Sequence, residues 1–392
     1  MVQPNIFSID DKCTGCGACV SVCPKGCLSL DSDTEGFYYP NLKDGCISCK
    51  LCEKVCHVLH PENKKVIKAD NVFVYHSSQN KIRESSSSGG AFSLFAEYII
   101  KERGIVYSTL FNPKTYRVEV ANSDLFPLSK FRKSKYVESF SGTTCKLICD
   151  ELKTGRIVLF CGTPCQVSGL KQFLYTLKID TTKLFTIDFI CHGVPSSKCF
   201  STFLSRHKHK IIDVDFRYKD FSRKDIGWHN MVYCEYYDDG SKKVFTNKDL
   251  HYYYYYYPFL QSLNLRKCCY KCDEINNSSA DITIADFWTI HKIDTVKDDN
   301  KGISIVVIHS DKALELWNIQ KKTGFNAKIP FDVIKSQLSN KNTKLVNKRN
   351  QFFESVKEKG YFATVRRLYF FKYVKFKIRL IGHSIKKHLV WR

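Results

Sequence analysis

Little in this chain points to export or to a membrane. Met1 to Asp11 has no basic start leading into an apolar stretch, as a secretory leader requires. No run approaches the roughly 18 uninterrupted apolar residues of a spanning helix. There is no G-x-G-x-x-G and no Walker-type loop, so neither a Rossmann nicotinamide site nor a P-loop is supported. Acidic residues are scarce, 39 against 61 Lys and Arg, for a net charge of +22. Such a balance can signal nucleic acid. However, no zinc finger, RNA-recognition signature or basic helix with half-site logic accompanies it, and nucleic acid is not expected as a partner. Cysteine is what the chain has in abundance, 19 in 392 residues. In an unexported protein that number points to metal ligation in a reducing cytoplasm rather than to disulfides.

Eight of the cysteines form two runs. The first is Cys13, Cys16, Cys19 and Cys23-Pro24; the second, 33 residues on, is Cys46, Cys49, Cys52 and Cys56. Three thiols at two-residue gaps on one loop can wrap a cubane iron–sulfur cluster. The fourth, a helical turn further, is turned away and reaches the neighbouring cube. The spacing therefore assigns Cys13, Cys16, Cys19 and Cys56 to one 4Fe–4S cluster, and Cys46, Cys49, Cys52 and Cys23 to another. Structural zinc is the plainer alternative, but zinc uses pairs of cysteines and has no need of three in series with a trailing Cys-Pro. A c-type haem is excluded, because three residues separate Cys52 from Cys56-His57 where the attachment motif has two.

Length and an apolar content of 43% suggest two or three domains with a sizeable interior. The charge is uneven along them. Residues 1–62 hold five Lys or Arg against eight Asp or Glu, a net of −3, leaving +25 to the rest. A slightly acidic module beside a basic body suggests docking within the chain or onto an acidic electron donor. We expect two short strands and two short helices in residues 1–62, then a polar linker at His60-Pro61-Glu62-Asn63-Lys64-Lys65.

Beyond the linker the pattern is α/β. Strands are expected at Val72–Tyr75, Gly104–Tyr107, Arg117–Val120, Arg156–Phe160, Leu184–Ile190 and Ala280–Trp288, with Gly302–His309 as the last clear one. Helices are expected over Ala91–Ile100, Thr143–Lys153 and Asp311–Lys322, the last with Ser310 as its N-cap. Residues 214–246 alternate in β fashion. Two strands run directly into small turns, Cys161-Gly162-Thr163-Pro164-Cys165-Gln166 and Cys191-His192-Gly193-Val194-Pro195-Ser196. Strand, glycine-rich turn and helix is the form in which α/β proteins seat cofactors. Arg83 to Gly90 opens a helix, either as an anion seat or as an ordinary serine-rich cap. Residues Lys348–Arg392 carry 13 Lys or Arg and two Glu, with Phe352, Phe353, Tyr361, Phe362, Tyr369, Phe370 and Phe371 interleaved. This tail reads either as a basic amphipathic helix pair for an anionic membrane surface or a partner, or as a helical cap with a solvated basic face.

In order along the chain, Ser88-Gly89-Gly90, Ser134-Lys135-Tyr136-Val137, Gly162-Thr163-Pro164-Cys165-Gln166 and Cys191-His192-Gly193-Val194-Pro195-Ser196 are followed by Phe216-Arg217-Tyr218-Lys219 with Gly227-Trp228. Then come Cys269-Tyr-Lys-Cys272 and Asp281-Ile-Thr-Ile-Ala-Asp286-Phe-Trp288. This succession resembles the coenzyme F420 hydrogenase/dehydrogenase beta-subunit family, in the form preceded by a two-cluster ferredoxin domain. It runs from residue 13 to about residue 310.

The resemblance implies a flavin-dependent oxidoreductase with a flavin, usually FAD, and a third 4Fe–4S cluster. Carried over by position, that cluster would use Cys165, Cys191, Cys269 and Cys272, with zinc as the plainer reading and Cys268 able to replace its neighbour. Cys27, Cys145, Cys149, Cys161, Cys199, Cys234 and Cys268 remain as small buried residues. The flavin is expected against Ser88, Gly89, Gly90, Gly162, Thr163 and Pro164, where glycine lets the backbone approach. Lys135 is either a positive charge beside the flavin or a surface lysine. Arg217, Lys219, Asp286 and Trp288 are placed near the site by resemblance alone, and Asp286-Phe-Trp288 reads equally as a core strand end. Ala285 stands where the family usually has glycine, and His57 where a second Cys-Pro is expected.

The expected fold is thus α+β and α/β. A dicluster ferredoxin-like domain (residues 1–62) is followed by a flavin-binding body in two parts (63–155 and 156–345) and a basic helical tail (346–392). The expected function is electron transfer between the ferredoxin-type clusters and the flavin, and on to a hydride acceptor such as coenzyme F420 or a polysaccharide-biosynthesis intermediate. The alternative is an electron-transfer subunit with no substrate pocket. A ferredoxin or another redox protein is the expected partner, in a cytoplasmic setting, with peripheral membrane contact as one reading of the tail.

Overall fold

A computed structural model describes residues 4–61, 70–207, 209–274, 277–338, 345–370 and 374. The linker expected at His60–Lys65 lies, from residue 62 on, outside them, as does nearly all of the tail beyond residue 370. The N-terminal module follows chain order as helix α1 (Ala18–Val22), strands β1 (Leu28–Ser32) and β2 (Tyr38–Leu42), and helix α2 (Leu51–Lys54). β1 and β2 form an antiparallel pair, Leu30 opposite Pro40. This is the expected two-strand, two-helix module.

The body starts with β3 (Val72–Ser77), α3 (Asn80–Glu84), α4 (Ala91–Lys101), β4 (Ile105–Asn112), β5 (Arg117–Asn122), β6 (Ser139–Phe140) and α5 (Thr144–Lys153). It continues through β7 (Val158–Cys161), α6 (Pro164–Thr176), β8 (Leu184–Phe189), α7 (Ser197–Leu204), β9 (Ile211–Tyr218), β10 (Val232–Tyr237), β11 (Lys242–Phe245) and α8 (Leu250–Leu260). Then follow β12 (Ile282–Asp286), β13 (Ser304–Ile308), α9 (Asp311–Gln320), β14 (Gly324–Lys328), α10 (Asp332–Lys335) and α11 (Val346–Lys359). Residues 361–370 are helical as well.

Nine strands make one mixed sheet in the order β14-β3-β13-β12-β8-β7-β4-β5-β6. Its centre, β12-β8-β7-β4, is parallel, with Ile187 opposite both Cys161 and Ile282 and Ile105 opposite Val158. Parallel strands need cover on both faces and read as apolar runs, and Val158 to Cys161 is buried throughout. Helices α4 and α9 pack on one side through Leu94, Phe95, Leu316 and Trp317. Helices α5 and α6 cover another part through Ile148, Leu170 and Phe173. β14 is a strand that the sequence reading did not include. It pairs antiparallel to β3 at the sheet edge, Gly324 opposite Ser77.

A second sheet, β11-β10-β9, is antiparallel and packs against α7 and α8. In α8 the tyrosine run Tyr252–Tyr257 becomes a helix in which Tyr252, Tyr254, Tyr255 and Tyr256 are buried. Tyr255 Oη donates to the carbonyl of Tyr136 at 2.5 Å, and Tyr256 Oη to that of Phe216. Phe352, Phe353, Tyr361, Val365 and Tyr369 join the same core. Residues 345–370 therefore cap the body.

The module docks on the body through side chains of opposite sign and through backbone. Arg349 pairs with Glu35, and Lys267 Nζ lies 3.0 Å from Asp11. Arg266, fully buried, donates from Nε to the Cys13 carbonyl at 2.8 Å and from Nη2 to the Tyr38 carbonyl at 2.9 Å, and pairs with buried Glu138. Tyr38 N donates in turn to Glu138 Oε2 at 3.1 Å.

Candidate functional site

Two cavities in the module divide the eight cysteines. One is lined by Cys13, Cys16, Cys19 and Cys56, the other by Cys23, Cys46, Cys49 and Cys52 with Cys27 beside them. In the first run the second thiol sits in a turn held open by glycine: Gly15 and Gly17 flank Cys16 at φ 69° and 81°, a region that suits only glycine well. Burial pushes the thiols of Cys16 and Cys19 well above their ordinary range, and neighbouring thiols add to the effect. Burial likewise raises Cys56, and takes Cys52 to about 11. Thiols crowded together away from water resist ionisation until a cation neutralises them, and that donor set fits a metal cluster. Cys27, expected as a small buried residue, has its sulfur 3.3 Å from that of Cys23. His57 is buried, with Nε2 3.0 Å from Thr14 Oγ1 and Nδ1 3.5 Å from Glu274, so this turn variant faces the body.

Helix α6 joins the module to the rest. Thr163 is its N-cap in a reciprocal capping box, its amide donating to Gln166 Oε1 at 3.0 Å and its hydroxyl accepting from Gln166 N at 3.4 Å. Cys165 follows, and Gly169 one turn later. A β-carbon on Gly169 would sit 2.6 Å from Cys16 Sγ. Residues four apart share a helix face, so Cys16 of the module and Cys165 of the body approach the same face one turn apart.

Cys165 meets Cys191, Cys268 and Cys272. Burial raises its thiol most, and Cys268 is the neighbouring thiol that adds most. Burial takes Cys191 up to about 12, helped by Cys272 and then Cys268. Cys269 lies beside this group: its sulfur is hydrogen-bonded with that of Cys268 and accepts from Val194 N at 3.5 Å, and it packs beside Phe259, Leu265 and Tyr270. Cys268 also contributes to the upward shift of Cys13, so it sits between the first thiol set and this one. Cys145, Cys149, Cys161, Cys199 and Cys234 are buried.

A cavity of about 390 Å³ opens beyond the carboxyl ends of β7, β8 and β12, where open α/β sheets hold ligands. Its wall includes Ser88, Gly90, Gly162, Thr163 and Lys135 from the sequence reading, together with Cys191, Arg217, Asp286 and Trp288. Gly89 and Pro164 are not on that wall. A β-carbon on Gly89 would meet the Tyr75 carbonyl at 2.1 Å, so glycine there permits close packing on β3; Pro164 is the first residue of α6. Ser88 faces the cavity while its hydroxyl donates to the Ile303 carbonyl at 2.6 Å. Gly90, at φ 98°, begins α4 with no side-chain cap, and Ala91 and Phe92 of its first turn reach the cavity. Uncapped first-turn amides with a partial positive charge suit an anion.

Lys135 is neither a surface lysine nor a free charge. Its ammonium donates to the carbonyls of Lys130 (3.0 Å), Arg132 (2.7 Å) and Lys133 (3.2 Å), which uses all three protons. Burial lowers its pKa to about 8. It wraps the loop that carries Arg132 and Lys133 to the cavity wall, two cations not singled out in the sequence because no motif residue marks them. Arg132 is fixed to α4 by Ser93 Oγ (2.9 Å) and Glu97 (2.7 Å), and Lys133 pairs with Asp215.

At the opposite wall, Arg217 Nη1 lies 2.8 Å from Asp286 Oδ2, and Trp228 Nε1 donates to Asp286 Oδ1 at 2.7 Å. Trp288 stacks on Trp228 at 4.9 Å with planes 3° apart, Arg217 lies over Trp288, and Trp288 remains 39% exposed. Asp286 and Trp288 thus form part of the cavity rather than a core strand end. Lys219 is set back, donating to the carbonyls of Ser88 (3.0 Å) and Lys301 (2.8 Å). Ala285 lines the cavity, its methyl group filling space that glycine would leave.

Comparison with known proteins adds five findings. The family model that describes the C-terminal part of the coenzyme F420 hydrogenase/dehydrogenase beta subunit matches residues 155–330, and that of the 4Fe-4S dicluster domain matches residues 12–59. An uncharacterized ferredoxin of Methanocaldococcus jannaschii is 43% identical over 58 residues, 15% of this chain and 70% of that protein. The coenzyme F420-dependent sulfite reductase of the same organism is 26% identical over 334 residues, 80% of this chain; the chain spans 47% of that enzyme's length. Among solved structures, a chain from the F420-reducing NiFe hydrogenase complex of Methanosarcina barkeri is similar with a TM-score of 0.46 at 16% identity. That match covers 74% of this chain and 95% of the other. No helix among the described residues is long and apolar enough to cross a membrane.

Proposed function

Since residues 155–330 belong to the C-terminal family of coenzyme F420 hydrogenase/dehydrogenase beta subunits and residues 12–59 to the 4Fe-4S dicluster domains, we propose that this chain is an iron–sulfur flavoprotein oxidoreductase. Cys13, Cys16, Cys19 and Cys56 hold one cluster, and Cys23, Cys46, Cys49 and Cys52 the second. A third is held by Cys165, Cys191, Cys272 and, in place of Cys269, Cys268. The cavity would take FAD, held by Gly90, Arg132, Lys133, Gly162 and Thr163, with Cys191 at its wall. When bound, the clusters supply one-electron carriage and the flavin supplies hydride chemistry.

The observation that carries this reading is that Cys191 belongs to both places. It lines the cavity and meets Cys165, Cys268 and Cys272. Cys268 in turn neighbours Cys13 of the module. The chain's own contribution is position: α6 sets the module against the third thiol group, and Lys135 holds the loop that brings positive charge to the cavity. Exposed Trp288, stiffened by Trp228 behind it, offers a flat face for the ring of a hydride acceptor. Coenzyme F420 is the first acceptor to try, given the relatives' names; a polysaccharide-biosynthesis intermediate is the second.

The test is anaerobic purification with iron, sulfide, zinc and flavin analysis, followed by reduction through a ferredoxin and turnover with F420. Twelve irons and one FAD per chain, with F420 reduction, support the proposal. Zinc in place of iron and sulfide would end it. A second reading is that electrons leave to another polypeptide rather than to a small molecule. It predicts flavin bleaching by reduced ferredoxin with no small-molecule turnover.

A further inference from the structure

Away from every sulfur site and from the large cavity, three side chains converge. One ligand atom each from His207, Glu235 and His251 lies within 4.8 Å of the others. Separate elements deliver them: His207 follows α7, Glu235 is in β10, and His251 is the second residue of α8. His251 Nε2 is 2.9 Å and His207 Nε2 3.3 Å from the same oxygen, Glu235 Oε1. A tetrahedral zinc ion with nitrogen and oxygen ligands at about 2.0–2.1 Å puts those atoms about 3.3–3.4 Å apart. The two nitrogen–oxygen separations match that edge or fall a few tenths short of it, and the two nitrogens lie within 4.8 Å of each other.

Two further observations point to a ligand. His207 Nε2 is buried and makes no hydrogen bond of acceptable geometry. The outer contacts are also those that hold metal-binding groups in place: Tyr237 Oη donates to Glu235 Oε2 at 2.6 Å and lies 3.4 Å from His207 Nδ1. If Nδ1 carries the proton and donates to Tyr237, the Nε2 lone pair is left for a cation. Glu235 is fully buried, whereas the two imidazoles keep 14% and 18% side-chain exposure, which leaves an entry path and room for water. Phe203 and Phe245 wall the site, their rings 4.5 Å and 4.1 Å from His251.

We propose that His207, Glu235 and His251 bind one zinc ion, with water as its fourth ligand, and that the ion fastens the end of α7 and the start of α8 to β10. The test uses the full chain, purified anaerobically, equilibrated with zinc and desalted. Metal analysis should give one zinc per chain beyond the iron. Zinc-edge X-ray absorption should show nitrogen and oxygen at about 2.0–2.1 Å with no sulfur at about 2.3 Å. His207→Gln with His251→Gln should lose that zinc while iron and sulfide stay at wild-type levels. Absence of zinc after loading, or sulfur in its shell, would overturn the proposal; so would zinc retained by the double variant. Should that variant fail to fold, the wild-type absorption spectrum decides alone.

Discussion

Replacing Arg266 by leucine should undo the docking of the module on the body. Three contacts are lost together: Nε to the Cys13 carbonyl (2.8 Å), Nη2 to the Tyr38 carbonyl (2.9 Å) and the ion pair with Glu138. Removing one partner of a buried pair costs about 3–5 kcal/mol, most of it the charge left behind. Here the remaining charge can be discharged. Burial already lifts Glu138 to about 7 with Arg266 present, so near neutral pH it takes up a proton rather than remain a buried, unpaired charge. The lower end, about 3 kcal/mol, is therefore expected, roughly a hundredfold rise in the undocked population. Whole-chain melting would not report this, because a multidomain cofactor protein does not unfold in two states. Cleavage between module and body by dilute protease does, since it follows the open population when reclosing is fast. Arg266→Leu should be cut about a hundred times faster, and adding Glu138→Gln should recover at least a tenfold part. A cleavage rate within twofold of wild type would refute the reasoning.

Gly169→Ala should lower the iron and sulfide bound per chain. The new methyl group meets Cys16 Sγ at 2.6 Å and Cys16 Cβ at 2.8 Å, and overpacking of about 1–3 kcal/mol exceeds or cancels alanine's helix advantage of about 1 kcal/mol. Trp288→Ala should reduce F420 turnover at least tenfold while flavin content stays within a fifth of wild type, measured by acceptor kinetics and flavin release. The pH profile of docking should carry the sign of Glu138. Its folded pKa of about 7 lies above the ordinary 4.5, so its stabilising contribution is complete below about 4.5 and is lost as pH rises toward 7. Glu138→Gln should flatten that slope in the protease assay.

The parts of this molecule legible in its sequence are those in which local spacing carries the constraint. Four thiols at fixed gaps define a cluster loop whatever lies around them, and the cavities divide Cys13, Cys16, Cys19 and Cys56 from the other four. Strands β7 and β8 were legible because central parallel strands are apolar on both faces. β14 was not: Gly-Phe-Asn-Ala-Lys has no such pattern, and its conformation comes from pairing with β3. In the tyrosine run, six residues that favour strands form a helix because each buried ring and hydroxyl finds its place only after folding. The pairs hardest to separate in sequence were decided by distant contacts. Cys268 is the neighbouring thiol that most affects Cys165, and Cys269 lies beside it with Val194 N on its sulfur, placements that spacing alone does not give. Lys135 is committed by three carbonyls of its own loop, which no motif reveals.

Helix α6 bears Cys165 at one turn and leaves Gly169 bare at the next for Cys16. A single rigid rod thus fixes the span across which charge would pass from module to body. Displacing the module from that bare turn would lengthen the gap, so the seating of Cys16 on α6 would govern how readily charge crosses between the two parts.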